Sequence, residues 1–151
     1  MSAARAPELG VAVLGTGAAA RMHARHLARW FPRVRRWIAS RSAARAAMLA
    51  RTVPNTATFC GYDAALADPD VDVVLVTTPP ASHLALTLSA LRAGKHVIVE
   101  KPAFLRCSDF ELVERAARHH GRTVLVAENY FYKPLLGRLR ALVASGDLGQ
   151  I

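Results

Sequence analysis

Residues 71–77, Val-Asp-Val-Val-Leu-Val-Thr, are dominated by β-branched side chains. A strand of that kind is apolar on both faces, so it belongs in a parallel sheet covered by further layers on each side. The rest of the chain supplies those layers by regular alternation. Residues 9–14 read as a buried strand, 15–17 as a tight turn, and 18 to about 31 as a helix stopped near Pro32. A second strand at 34–40, a helix at 42–51, a third strand at Thr56–Cys60 and a short helix at 63–67 follow, before the Asp68-Pro69-Asp70 turn. Beyond the fourth strand at 71–77 come a helix at 82–93 ended by Gly94 and a fifth strand at 97–99. Ser108, with Glu111 three residues later, has capping-box spacing and opens a helix that ends near Gly121; a sixth strand at 123–127 and a helix at 134–145 complete the series. This alternation predicts an α/β fold, a doubly wound parallel sheet with right-handed crossovers, whose ligands bind beyond the carboxyl ends of the strands.

With 151 residues, 52% of them hydrophobic and 21% charged, the chain has the size and composition of one domain with a real core. Its net charge of +9 favours polyanionic partners: nucleic acid, anionic lipid or a phosphorylated cofactor. The basic residues are nearly all arginine in an alanine-rich background, a pairing that codon composition alone can produce. Arg21, Arg25 and Arg29, close to Arg33 and Arg36, read as a solvated helix face. No groove-binding or base-stacking motif accompanies them, which disfavours nucleic acid as a partner. Cys60 and Cys107 match no C-x-x-C spacing and read as inert packing thiols of a reducing compartment. His119 and His120 fall in a helix's last turn, where the dipole suits them. The first ten residues carry one arginine and no apolar signal core, and no run approaches the roughly 20 apolar residues that span a bilayer. The expectation is a cytoplasmic protein with no membrane partner.

Gly15-Thr16-Gly17-Ala18-Ala19-Ala20 follows the first strand and opens a helix, the context in which a G-x-G-x-x-G/A pattern acquires physical meaning. Gly15 permits the turn. Gly17 lets a pyrophosphate approach the backbone amides at the helix start, where unpaired donors and the macrodipole favour negative charge, and Ala20 allows close packing on the strand. S-adenosylmethionine enzymes also use such turns, so the motif by itself indicates a nucleotide-like ligand. At the end of the second strand, where NAD-binding domains usually carry a carboxylate for the ribose hydroxyls, stands Ser40-Arg41-Ser42. Two hydroxyls and a guanidinium suit a 2′-phosphate, which favours NADP(H) over NAD(H), although NAD(H) remains admissible. Thr77-Thr78-Pro79-Pro80 stiffens the loop after the fourth strand. Ser82 is placed to cap the next helix, and His83 either faces the pocket or completes the turn. Glu100-Lys101-Pro102 closes the fifth strand and sets an ionisable pair at the ligand edge, where a lysine can hydrogen-bond a substrate's reacting oxygen.

Together these residues resemble the glucose-fructose oxidoreductase, inositol dehydrogenase and related (Gfo/Idh/MocA) oxidoreductases. The resemblance rests on GTGAAARMH from Gly15 to His23, DVDVVLVTTPPASH from Asp70 to His83, and ALRAGKHVIVEKP from Ala90 to Pro102. It implies a two-domain NAD(P)-dependent enzyme interconverting alcohols and carbonyls on sugars, polyols or related small molecules. Gly15, Thr16, Gly17, Ala18 and Ala19 would bind the pyrophosphate region, Ser40 and Arg41 would lie near the adenosine ribose, and Thr78, Pro79 and His83 would border the groove. Glu100 and Lys101 match the E-K-P motif, whose lysine assists catalysis and whose Lys-Pro bond is often cis. Asn129 and Pro134 fall in the segment leading to a second domain. On this pattern residues 1–145 are the Rossmann domain and 146–151 the start of an α+β substrate domain otherwise absent from the chain. The implied function is the cofactor-binding half of an NADP(H)-preferring oxidoreductase, inactive alone, with no metal and with a homo-oligomer allowed. A non-catalytic dinucleotide-binding module and a basic nucleic-acid-binding protein on the same scaffold are the rival readings.

Overall fold

The computed structural model describes residues 8–149. The leader reading of the first seven residues, and the Gln150-Ile151 end of segment 146–151, lie outside them. Six strands form one fully parallel sheet: β1 (Gly10–Leu14), β2 (Arg35–Ser40), β3 (Thr56–Cys60), β4 (Val73–Val76), β5 (His96–Val99) and β6 (Val124–Val126), in the order β3-β2-β1-β4-β5-β6. Between them run α1 (Ala18–Trp30), α2 (Ala43–Ala50), α3 (Tyr62–Ala67), α4 (His83–Arg92) and α5 (Cys107–His120), and α6 (Pro134–Ala144) follows β6. The chain leaves β1 toward one edge and returns to β4 on β1's other side, so the strand order reverses there. This is the doubly wound order expected of a dinucleotide fold.

The period of two in the strands explains why both faces need cover. Val11, Val13 and Leu75 point into one core with Ile38, where Ala20 and Ala24 of α1 and Ala46 and Leu49 of α2 close over them. Ala12, Leu14, Val74 and Val76 point into the other, closed by Ala65 and Leu66 of α3, Ala90 and Leu91 of α4 and Val113 of α5. Burying each Leu or Val removes apolar surface from water for about 1.5–3 kcal/mol. Alanine at the α1 contact keeps that helix close to the sheet, with Ala20 fully buried. The regular part of the fourth strand is shorter than the apolar run. Its pairing nevertheless continues at both ends, because the Asp72 N–H donates to Gly10 O and the Thr77 N–H to Leu14 O.

Three local expectations need correction. α5 starts earlier than the Ser108 box implies: its N-cap is Arg106, which supplies no side-chain acceptor, and Asp109 occupies the third helical position. The buried Asp109 carboxylate pairs there with Arg106 at 3.3 Å. Arg36 is no part of a surface stripe. It is buried, and its guanidinium donates to Val34 O at 2.6 Å and Pro54 O at 3.2 Å, with Phe31 O and Pro32 O within 3.4 Å. A carbonyl-rich bend after α1 thus consumes the charge. Cys60 and Cys107 are exposed thiols, not packing residues, because each sits where its element meets solvent at the sheet edge or helix start. Among the described residues no helix is long and apolar enough to cross a membrane, and no group of three or more His, Cys, Asp or Glu is placed to hold a metal.

Candidate functional site

The strand ends at the topological reversal open a cleft of about 940 Å³ whose walls include Gly15 to Ala19, Ser40, Arg41, Thr78 and Pro79. Its floor depends on Gly15. That residue has φ +123°, and a Cβ on it would meet Thr77 Oγ1 at 2.8 Å, an atom that itself donates to Leu14 O at 2.8 Å. Only glycine lets β1 turn this close to the end of β4. Gly17 is different: φ is −76°, and a Cβ would meet nothing within 4 Å. No protein neighbour requires glycine there, so the open space on the cleft side is available to a ligand.

Gly17 is the N-cap of α1 and makes no side-chain cap bond, and the first turn contains no acidic residue. The amides of the helix start therefore lack the internal partners that a Ser or Asp cap would provide, and they face the cleft as donors. An anion that brings oxygens to them, such as a diphosphate, fits this cradle.

The end of the cleft past β2 is basic and hydroxylated. Ser40 is buried and its Oγ accepts the Ser42 N–H at 3.2 Å, while Ser42 Oγ accepts the Arg45 N–H at 3.4 Å as the cap of α2. Arg41 is exposed, and it shares the lining with Arg21 of α1 and Arg45 of α2. Among the described residues that line the cleft there is no Asp or Glu. Arg45 and Tyr62 are lining residues that sequence reasoning missed. Arg45 lies four residues after Arg41, but the Ser42 cap between them breaks the helical spacing that relates i to i+4. Tyr62 opens α3, and only the tertiary path brings it to the cleft.

Beyond β4, Ser82 Oγ lies 2.7 Å from both Pro79 O and Thr78 Oγ1, and so closes the short 3-10 turn Pro80–Ser82; it makes no cap bond to α4. His83 does not border the groove. It is 1% exposed, with Nε2 at 2.7 Å from Thr78 O and Nδ1 at 3.0 Å from Pro102 O and 3.2 Å from Ala103 O. Each ring nitrogen lies within hydrogen-bond distance of a backbone carbonyl, so the ring sits between the β4 loop and the segment after β5.

Glu100 and Lys101 stand at the end of β5, outside the lining of the 940 Å³ cleft and farther along the same sheet edge. The Lys101-Pro102 bond is cis, and Lys101 is exposed. Glu100 is more enclosed. Its Oε1 lies 2.6 Å from His23 Nε2, and its Oε2 accepts the Lys101 N–H at 3.0 Å. Burial pushes the Glu100 carboxyl up, but the His23 bond, the Lys101 N–H and the neighbouring positive charge outweigh it and hold the group below its usual range. His23 is a third residue that reasoning on the residues alone did not single out, since 77 residues separate it from Glu100.

A family model described as an oxidoreductase family with an NAD-binding Rossmann fold, GFO_IDH_MocA, matches residues 9–128. The dTDP-3,4-didehydro-2,6-dideoxy-alpha-D-glucose 3-reductase of Streptomyces violaceoruber is 40% identical over 116 residues, which are 76% of this chain and 33% of that protein. The D-xylose 1-dehydrogenase (NADP(+)) of Hypocrea jecorina is 33% identical over 94 residues, 62% of this chain and 24% of that one. Among solved structures, GenD2 from gentamicin A biosynthesis in complex with NAD has a TM-score of 0.83 at 32% identity, covering 97% of this chain and 42% of that one. The chain thus spans between a quarter and about two fifths of the length of these relatives.

Proposed function

The chain belongs to the Gfo/Idh/MocA oxidoreductase family with its NAD-binding Rossmann fold, and we propose on that footing that it is the cofactor-binding half of an NADP(H)-preferring oxidoreductase. Its substrate would be the carbonyl or hydroxyl carbon of a sugar, polyol or related small molecule. The observation that carries the cofactor choice is the composition of the cleft: Ser40, Arg41 and Ser42 past β2, with Arg45 of α2 and Arg21 of α1 in the same lining, and no carboxylate among the described lining residues. A 2′-phosphate there gains charge-assisted hydrogen bonds, whereas the ribose hydroxyls of NAD find no acidic acceptor. The D-xylose dehydrogenase relative supports this preference through its NADP(+), and GenD2, bound to NAD, represents the alternative. The sugar-acting relatives support the substrate class.

In this reading Gly15, Thr16, Gly17, Ala18 and Ala19 hold the diphosphate, Ser40 and Arg41 the adenosine end, and Thr78 and Pro79 the wall of the groove. When bound, the coenzyme supplies or accepts hydride at C4 of its nicotinamide. Lys101 orients the substrate's reacting oxygen and holds or moves its proton. Glu100, kept as a carboxylate, contributes charge and shape beside that lysine. Lys101 is exposed here, and hydride transfer to a polar substrate needs an enclosure that excludes water. Turnover therefore requires residues beyond 1–145, which we take as the Rossmann domain, with 146–151 opening the substrate domain.

Calorimetric titration with NADPH, NADH and S-adenosylmethionine in parallel tests this. NADPH should bind most tightly, and Arg41→Asp should remove about 2 kcal/mol of that binding, roughly a thirtyfold loss, with little effect on NADH. Equal affinity for the two nicotinamide coenzymes, or an unchanged ratio in the variant, discards the preference. Binding of S-adenosylmethionine alone discards the redox reading.

A further inference from the structure

We infer that His23 is a positioning residue for Lys101: through the Glu100 carboxylate it ties the helix that follows the glycine turn to the end of β5, and so sets where the lysine stands relative to a coenzyme seated on that helix. This rests on the proposed function, because it concerns the geometry between the diphosphate cradle and the lysine.

The Glu100 carboxylate divides its two oxygens between two tasks. Oε1 meets His23 Nε2 at 2.6 Å, and Oε2 takes the Lys101 backbone N–H at 3.0 Å. His23 belongs to α1, whose first turn carries the unpaired amides, so one side chain joins the phosphate end of the site to the residue that follows Glu100. The side chains of His23 and Glu100 are 23% and 14% exposed, enclosed enough for the contact to be persistent. From the other side the buried His83 ring sits between Thr78 O and the Pro102 and Ala103 carbonyls. Lys101 is thereby held in its backbone on both flanks, and its free variable is the side chain alone.

Stability alone gives little reason for this pair. A carboxylate taken partly out of water costs free energy that its partner only roughly returns, and an apolar pair at the same place would pack as well. Its location supplies the reason. Elsewhere among the described residues, Arg106–Asp109 serves a helix start, and Arg35–Asp70, Arg115–Glu111 and Arg118–Glu114 lie at the surface. His23–Glu100 sits at the ligand edge of the sheet. A fixed spacing between the diphosphate cradle and the lysine is what a near-attack geometry demands, since a misplacement of about 1 Å costs on the order of a hundredfold in rate.

The chain has three lysines, Lys95, Lys101 and Lys133, so carbon-13 labelling at the lysine ε position gives three resolvable signals, with Lys101 assigned through Lys101→Arg. NADPH should shift the Lys101 signal of the wild-type chain. In His23→Ala, NADPH affinity should change by less than about threefold, because the amides and arginines are intact, while the coenzyme-induced shift at Lys101 should fall by more than half. His23→Gln, which keeps a donor at nearly the same reach, should restore it. Glu100→Ala should lose the shift as His23→Ala does, and the double variant should lose no more, as expected of two groups acting as a unit. If His23→Ala does not fold, the contrast between His23→Gln and Glu100→Ala carries the same comparison. An unchanged Lys101 shift in His23→Ala or Glu100→Ala, or additive losses in the double variant, overturns the inference. Failure of the wild-type chain to bind NADPH instead overturns the functional reading, and the inference with it.

Discussion

Two glycines in one turn carry separable burdens, and substituting each by alanine tells them apart. At Gly15 an alanine must adopt φ +123°, which costs an L-residue about 1–3 kcal/mol. Its Cβ would also stand 2.8 Å from Thr77 Oγ1 and 3.2 Å from Thr77 O. The hydroxyl cannot yield freely, because it is bonded to Leu14 O, and losing that bond costs about 1 kcal/mol more. Gly15→Ala should therefore destabilise the fold by about 2–4 kcal/mol. At Gly17 the backbone is ordinary, with φ −76° and ψ −169°, and the new methyl meets nothing. The loss of N-cap preference, about 0.5–1 kcal/mol, is offset by a similar gain from restricting the unfolded chain. Gly17→Ala should leave stability unchanged, yet place a methyl where a diphosphate has to approach. Overpacking of that kind costs about 1–3 kcal/mol, so NADPH should bind roughly 5- to 150-fold more weakly. Urea unfolding and titration of NADPH fluorescence read the two effects independently. Wild-type NADPH affinity in Gly17→Ala would refute the assignment of the α1 amides as the diphosphate cradle, and a stability loss at Gly17 equal to that at Gly15 would refute the division of roles.

The Glu100 carboxyl is lowered in the folded chain, so the folded state binds fewer protons than the unfolded one as the group titrates, and its stabilisation is present above the ordinary glutamate pKa of about 4.3. Urea unfolding of wild type and Glu100→Gln should show a constant gap between about pH 5 and 7 that shrinks as pH falls through the folded pKa; a gap that widens on acidification contradicts the assigned cause. Adenosine 2′,5′-bisphosphate, which carries the 2′-phosphate without the nicotinamide, should compete with NADPH in a binding assay while leaving the Lys101 carbon-13 signal unmoved. Movement of that signal by the fragment would mean that the adenosine subsite is not at Arg41.

What the sequence made legible was whatever is fixed locally. Apolar runs buried on both faces, a glycine turn at a strand-to-helix junction and hydroxyl-guanidinium chemistry after β2 all declare themselves within a few residues, and their alternation with helices implies a parallel sheet with right-handed crossovers. What escaped was decided by partners remote in sequence. Arg36 looks like surface charge until Pro54, eighteen residues away, turns a carbonyl toward it. His83 is indistinguishable from a pocket histidine until Thr78, Pro102 and Ala103 surround its ring with backbone carbonyls. Arg45 and Tyr62 reach the cleft through the tertiary path of α2 and α3. Even Ser108, with a sound capping pattern, is overridden because the N-cap of α5 falls two residues earlier, at Arg106.

These remote contacts also explain how a single sheet edge distributes its chemistry. The ends of β2, β1, β4 and β5 are consecutive in space, and each contributes one kind of group: Ser40 and Arg41, the bare amides beyond Gly15, the stiff Thr78-Pro79 wall, and Glu100-Lys101. From β2 to β5 is three strand spacings, about 14 Å. A ligand using both ends has to extend over that width. The charges are arranged to match. Cationic side chains line the cleft, neutral backbone donors lie at the helix start, and the Glu100 carboxylate is turned to His23 and the Lys101 amide. Were Glu100 free to face the cleft, it would repel the same phosphates that the arginines attract. Locking it to α1 keeps a negative charge beside the lysine and, on the proposed function, out of the path of the coenzyme, and that compromise requires a partner on the very helix whose start would hold the diphosphate.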